Sequence, residues 1–223
     1  MRRPAELLRF TRAQRWVHRG TAVLMGACLV TAAILYIGPL SVLVGRRGVV
    51  VWVHVVAGLA LPVPVLLGWL SAAVRADAGE LNRFGPVDWQ WLRSPDRRAG
   101  GIPIGKFNPG QKLYAAFIVG AIGVQLGTGV LMRYGQHWPL SLRTGATFVH
   151  DWLAAAVGVA VIGHLYFALR DGEARAGMRT GRVSVGWARR EHPGWAAGAG
   201  PAGTPGTDAG QPPPSAASAS RST

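Results

Sequence analysis

The sequence predicts an all-α integral membrane protein whose four transmembrane helices form a bundle. Hydrophobic residues make up 49% of the chain and charged residues only 15%, whereas soluble proteins carry about 25% charged residues. Four apolar runs are each long enough to cross the ~30 Å hydrocarbon core of a bilayer, which takes about 20 helical residues. Basic residues are concentrated in alternate connections between these runs, as in multi-pass membrane proteins.

The first predicted span follows a basic N-terminal segment, residues 1–16, and runs from Val17 to Ile37. Its start resembles an export signal. The apolar run, however, exceeds the about 7–15 residues of a signal-peptide core, so we expect an uncleaved transmembrane helix. The single cysteine, Cys28, lies within this run and excludes an intrachain disulfide.

The second span is predicted over residues 49–74. It contains Pro62 and Pro64, which kink helices and are tolerated in membranes where neighbouring groups satisfy the freed carbonyls. Residues 75–112 form a long polar connection rich in glycine and proline. The third span is predicted over residues 113–132.

Gly123 and Gly127 of the third span have the GxxxG spacing that favours close contact between membrane helices. The fourth span is predicted over residues 148–170. A basic amphipathic segment, residues 171–195, follows it. Residues 196–223 are mostly Ala, Gly, Pro and Ser, a composition that predicts a disordered tail.

The distribution of arginine and lysine predicts the orientation of the membrane domain, residues 17–170. Six lie at the N-terminus up to Arg19, seven in residues 75–112 and seven from Arg170 onward, against two in each of the other connections. The positive-inside rule then places both termini in the cytoplasm, and we expect the inner (plasma) membrane of a bacterium. It also accounts for the net charge of +14, so no nucleic acid partner is predicted.

Four histidines lie in or beside the spans, and ionisable groups at such positions indicate function. His150 and His164 are fourteen residues apart on the fourth span, so they point ~40° apart and lie ~21 Å apart along the axis. The predicted orientation places His54 and His150 near the outer face, and His18 and His164 near the cytoplasmic face. The histidines therefore sort into an outer and an inner pair.

Two imidazoles from different helices at equal depth can bind the two opposite faces of a haem iron. The pattern thus predicts two haems suited to electron transfer, with no open position for oxygen. Single intramembrane histidines can also be structural, and zinc would need four ligands that converge on one site. The remaining histidines, His137 and His192, are expected to be solvated.

Three stretches resemble the cytochrome b (gamma) subunit of membrane-bound respiratory formate dehydrogenase: GKFNPGQK at residues 105–112, the histidine-bearing residues 149–166, and residues 181–195 with Trp187 and Trp195. The similarity covers about residues 9–195. It implies two haems b held by the pairs described above. The short connection at residues 38–48 departs from the family pattern.

The resemblance further implies a site for quinone, menaquinone or ubiquinone, at Asn108, Gly110 and Gln111, where amides can donate to a carbonyl. We also expect Asn108 to cap the third helix, with Pro109 in its first position. The implied partners are an iron–sulfur subunit and a molybdenum- or tungsten-containing catalytic subunit. The chain itself would carry out no formate chemistry.

Two alternatives stay open at this stage. The chain could serve a hydrogenase or another exported dehydrogenase, which only its partner would reveal. It could also be a haem-free membrane scaffold or transporter, which a pyridine haemochrome assay would distinguish.

Overall fold

The structure is a computed structural model that describes residues 5–97 and 101–199. Its described part contains four helical segments long and apolar enough to cross a membrane, at Arg12–Tyr36, Arg47–Gly68, Pro109–Arg133 and Leu140–Arg170. Each overlaps one of the four predicted spans, with bounds that differ by several residues. Most of the predicted tail, from residue 200 onward, lies outside the described residues.

Almost all of the described elements are helices, and only two are short strands. In chain order, the elements are β1 (Glu6–Leu8), α1 (Arg12–Tyr36), α2 (Gly38–Val44), α3 (Arg47–Ala60), α4 (Val63–Gly68), α5 (Ala72–Leu81), α6 (Pro86–Arg93), α7 (Pro109–Arg133), a 3-10 turn (Gly135–His137), α8 (Leu140–Arg170), α9 (Gly172–Thr180), β2 (Arg182–Ser184), α10 (Val185–Glu191) and α11 (Pro193–Gly198).

The membrane-spanning helices form two pairs. Helix α1 packs along α3 and α4, and α7 packs along α8, while contacts between the two pairs are sparser. Large apolar side chains such as Val159 and Ile162 are 72% and 68% exposed. Apolar surface of this extent is stable where lipid covers it.

The second span is interrupted by its prolines. Helix α3 ends at Ala60, and α4 begins at Val63 after a turn. The predicted end at residue 74 is wrong, because α4 ends at Gly68 and Val74 belongs to α5. A Cβ at Gly68 would lie 2.3 Å from Cγ2 of Val17, so only glycine allows α4 to approach α1 this closely.

The GxxxG expectation for α7 is also wrong. Within the described residues, a Cβ at Gly123 or Gly127 would meet no atom within 4 Å. The close approach occurs instead at Gly129, where a Cβ would lie 3.4 Å from Cε1 of His150.

One end of the bundle carries a folded layer where the sequence predicts connections and an amphipathic segment. Strands β1 and β2 pair antiparallel, with Leu7 opposite Val183. These two residues pack with Trp187 and Ala188 of α10 in a buried apolar cluster. This layer joins the N-terminal segment to the segment that follows α8.

His192 lies at the centre of this layer and is only 2% exposed, so the prediction that it is solvated is wrong. Its Nε2 lies 2.9 Å from Nη2 of Arg9, and its Nδ1 lies 2.9 Å from the Gly105 carbonyl. Because Arg9 can only donate, Nε2 accepts and Nδ1 donates. Neutral His192 therefore ties the N-terminal segment to the residues that precede α7.

Arg9 is buried with His192 and is 5% exposed. Its Nη2 also donates to the Lys106 carbonyl, at 2.9 Å. The guanidinium carbon lies 4.6 Å from the ring centre of Trp187 and 5.5 Å from that of Trp195, close enough for cation–π attraction. Burial lowers the pKa of Arg9 to about 10, so it stays charged at neutral pH.

Acidification should loosen this layer. Burial, followed by the charge of Arg9, lowers the pKa of His192 from 6.5 to about 3. Between pH 6.5 and 3, His192 binds a proton when the layer is unfolded but not when it is folded. The contribution of His192 to the stability of the layer is therefore fully present above pH 6.5 and decreases as the pH falls toward 3. Hydrogen exchange of residues 181–198 should accelerate by up to about tenfold per pH unit in this window, after correction for intrinsic exchange.

The variant His192→Gln isolates this effect, because carboxyl groups near the layer also titrate on acidification. The variant should lose most of the pH dependence, while His137→Gln, at an exposed histidine, should keep it. An identical pH profile for wild type and His192→Gln would contradict the role of His192.

Candidate haem and quinone sites

The structure brings the four span histidines together in two pairs. The ring centres of His54 and His150 lie 6.2 Å apart, and those of His18 and His164 lie 6.0 Å apart. Each pair joins one helix of the α1/α3 pair to α8. Both contacts therefore lie between the two helix pairs, where packing is sparser.

The separations within the pairs suit a metal held between two imidazoles. Two metal–nitrogen bonds of about 2 Å, plus ~1 Å from each nitrogen to its ring centre, place the ring centres about 6 Å apart. The ring planes are inclined at 66° and 58°, and rotation about a nitrogen–metal bond leaves that bond intact. The residues present thus fit a haem at each pair, and their role as ligands stays a prediction.

Threonine hydroxyls hold both histidines of the first pair. Oγ1 of Thr31, on α1, lies 2.8 Å from Nδ1 of His54. Oγ1 of Thr128, on α7, lies 2.9 Å from Nδ1 of His150. Nε2, the other nitrogen of each ring, is thereby left for a metal.

The His18/His164 pair has a different environment. Both rings are exposed, and within residues 5–97 and 101–199 neither has a hydrogen bond to a protein group. The ring of Tyr114 stacks on His164, with ring centres 5.1 Å apart and planes 14° apart. Because Tyr114 lies in the second turn of α7, it connects this pair to the predicted quinone segment.

That segment begins α7 with a reciprocal cap, as expected for Asn108 and Pro109. Oδ1 of Asn108 accepts from the Gln111 N–H, and Oε1 of Gln111 accepts from the Asn108 N–H, both at 2.9 Å. The cap requires the oxygens to point inward. Among the described residues neither side-chain NH₂ group has a protein partner, so two amide donors are left for a ligand.

Gly110 lies between these two residues at the exposed surface. A Cβ there would lie 3.3 Å from Oδ1 of Asn108 and would press on the capping oxygen. Gly110 thus protects the cap and leaves the backbone open to close approach.

Two ion pairs fix the start of α7 to the connection before it. Nζ of Lys106 lies 2.5 Å from Oδ1 of Asp77, and Nζ of Lys112 lies 2.8 Å from Oδ1 of Asp88. Burial raises the pKa of Asp77, although Lys106 opposes this shift. The predicted quinone segment is therefore rigidly placed beside charged groups outside the membrane-spanning segments.

Sequence reasoning missed Thr31, Thr128 and Tyr114. Threonines are common in membrane helices, and nothing in a single sequence distinguishes one that meets a histidine 22 or 23 residues away. In the described ranges no three His, Cys, Asp or Glu side chains cluster as a metal site would require. The described residues therefore do not form the four-ligand zinc site considered above.

Known cytochrome b proteins are similar to this chain. A family model described as prokaryotic cytochrome b561 matches residues 9–181. The cytochrome b556(Fdn) subunits of nitrate-inducible formate dehydrogenase from Escherichia coli strain K12, E. coli O157:H7 and Shigella flexneri are each 33% identical over 99 residues. These alignments cover 41% of this chain and 44% of each relative, so the chain spans less than half the length of the relatives it matches.

Single histidine substitutions should each remove one haem. His150→Ala and His164→Ala each leave one ring without its partner, and a pyridine haemochrome assay should show about half the wild-type haem per chain. The exposed His137 supplies the control, since His137→Ala should retain the full content. Two haems in the His164→Ala variant would contradict the ligand assignment.

Proposed function

Since this chain belongs to the prokaryotic cytochrome b561 family, we propose that it is a dihaem cytochrome b subunit. In this role it carries electrons across a bacterial inner membrane from a formate dehydrogenase iron–sulfur subunit to quinone. The observation that carries the proposal is the pairing of four histidines at ring-centre distances of 6.2 and 6.0 Å. One pair joins α3 to α8 and the other joins α1 to α8, at positions fourteen residues apart on α8.

Each part of the chain has a defined task in this proposal. His54 and His150 would hold one haem b, and His18 and His164 the other; when bound, these groups supply one-electron transfer. The fourteen-residue step from His150 to His164 separates the two sites by ~21 Å along α8. Two haems held at these sites would form an electron relay across the bilayer.

The second haem site would deliver electrons to quinone at the start of α7. Reduction of a quinone to a quinol takes two electrons and two protons, and the protons would come from the cytoplasm. The free NH₂ groups of Asn108 and Gln111 can donate to the quinone carbonyl as negative charge develops on it. Tyr114, stacked on His164, connects this segment to the second site.

The positive-inside rule supports an orientation with both termini in the cytoplasm. The His54/His150 pair would then face the outer side, where the iron–sulfur subunit and a molybdenum- or tungsten-containing catalytic subunit would dock. The support for these partners is the similarity to formate dehydrogenase cytochrome subunits.

The proposal is tested by purifying the complex from its native membrane and adding formate without oxygen. Formate should reduce both haems, seen as their α-band absorbance, and should then reduce added menaquinone or ubiquinone analogue. Reduction by hydrogen but not by formate would instead identify a hydrogenase subunit. A colourless protein would overturn the cytochrome assignment.

The quinone segment can be tested separately through Gln111→Glu. Glutamate retains the oxygen that completes the helix cap but lacks the NH₂ donor, so the fold should persist. We expect binding of a quinone analogue to weaken by about tenfold, the loss typical of one hydrogen bond of ~1.4 kcal/mol, with the haem spectrum unchanged.

Two further variants provide the controls. Gln111→Ala removes both the cap and the donor, so it should weaken binding at least as much. Gln136→Glu, at an exposed position beside His137, should have no effect. Unchanged affinity of Gln111→Glu for the analogue would exclude Gln111 from the quinone site.

A further inference from the structure

Thr31 and Thr128 have the same arrangement of contacts, each on the helix that packs beside a histidine. Oγ1 of Thr31 lies 2.6 Å from the Ala27 carbonyl, one turn earlier on α1, and 2.8 Å from Nδ1 of His54. Oγ1 of Thr128 lies 2.8 Å from the Val124 carbonyl and 2.9 Å from Nδ1 of His150. The sequence separations from threonine to histidine are 23 and 22 residues.

These distances determine where the protons lie. A hydroxyl has one proton, and a carbonyl oxygen can only accept. An oxygen–oxygen contact of 2.6 or 2.8 Å is favourable only with a proton between the two atoms, so each threonine donates to its own helix. Its lone pair then faces the ring nitrogen, and Nδ1 of each histidine must be the donor.

Two additional contacts hold His150 in place. Nε2 of Gln125 donates to the His150 carbonyl at 3.2 Å, and Gly129 leaves room for the ring, since a Cβ there would lie 3.4 Å from Cε1. On the other helix pair, Thr31 is itself buried, at 7% exposure. Residues of α1 therefore hold His54, and residues of α7 hold His150.

We propose that Thr31 and Thr128 are positioning residues that fix the Nδ1–H tautomer of His54 and His150 and lower the reduction potential of the haem at this pair. The proposal rests on the proposed function. A histidine that donates from Nδ1 becomes more basic at Nε2, and a more basic nitrogen ligand would stabilise ferric over ferrous iron. A lowered potential suits the site at which electrons are received before onward transfer.

The experiment is a redox titration of the purified full-length protein by visible spectroscopy. Thr31→Val and Thr128→Val keep the shape of the side chain and remove the hydroxyl. Each should shift the ferric–ferrous equilibrium of one haem threefold to tenfold toward the ferrous form, a rise of about 30 to 60 mV for one electron. The other haem should keep its potential.

Serine provides the matched rescue. Thr31→Ser and Thr128→Ser retain the hydroxyl and should return the potential to the wild-type value. Thr147→Val supplies the control, because Thr147 donates to the carbonyl of Arg143 in the same way but has no histidine partner among the described residues. It should leave both potentials unchanged.

The outcomes separate this inference from the proposed function. Two haems per chain with unchanged potentials in both valine variants would overturn the role of the threonines and leave the cytochrome intact. A serine variant that shifts as far as its valine counterpart would also overturn it, since packing would then be the cause. If the valine variant loses the haem, the serine variant decides the question. Full haem content and the wild-type potential in the serine variant support the positioning role of the hydroxyl, whereas loss of haem in the serine variant overturns that role. Absence of haem from the wild type would refute the proposed function itself.

Discussion

The remaining structure depends on one constraint: at two places, two imidazole rings must face each other across the boundary between the two helix pairs. Ring centres can stay 6.2 and 6.0 Å apart only if the helices that carry the rings keep a fixed depth and rotation relative to one another. The α1/α3 and α7/α8 pairs supply this rigidity, because extensive packing within each pair leaves the space between the pairs for the histidines. A small displacement of either helix pair would change the ring separation in both histidine pairs, because α8 contributes one histidine to each.

The close contacts between helices serve this placement. Gly68 allows α4 to approach α1 near Val17, one residue before His18, and Gly129 allows α7 to approach the ring of His150. Glycine removes a Cβ that would otherwise separate the helices. The glycines that only have the right spacing, Gly123 and Gly127, approach no other helix in the described part of the chain. A spacing motif shows where a helix could pack, whereas the partner decides where it does.

The layer at the end of the bundle makes the predicted quinone segment part of the same rigid unit. Arg9 and His192 are 183 residues apart in sequence, yet they form a buried contact that also holds the Gly105 and Lys106 carbonyls. The cap at Asn108 and Gln111 follows directly along the chain. Tyr114 then continues the contact to His164. The segment that follows α8 thus supports the predicted quinone segment at the start of α7, and from there the second histidine pair.

The sequence by itself determined the four spans, the histidine pairs and the cap of α7, because hydropathy, helical period and capping chemistry are local and repeat along one chain. The tertiary structure decided what each histidine meets. It buried His192 against Arg9, placed Thr31 and Thr128 against His54 and His150, and moved the close helix contact to Gly129. These contacts join residues far apart in sequence. Their partners are selected by how two helix pairs rotate against each other, and no local pattern records that rotation.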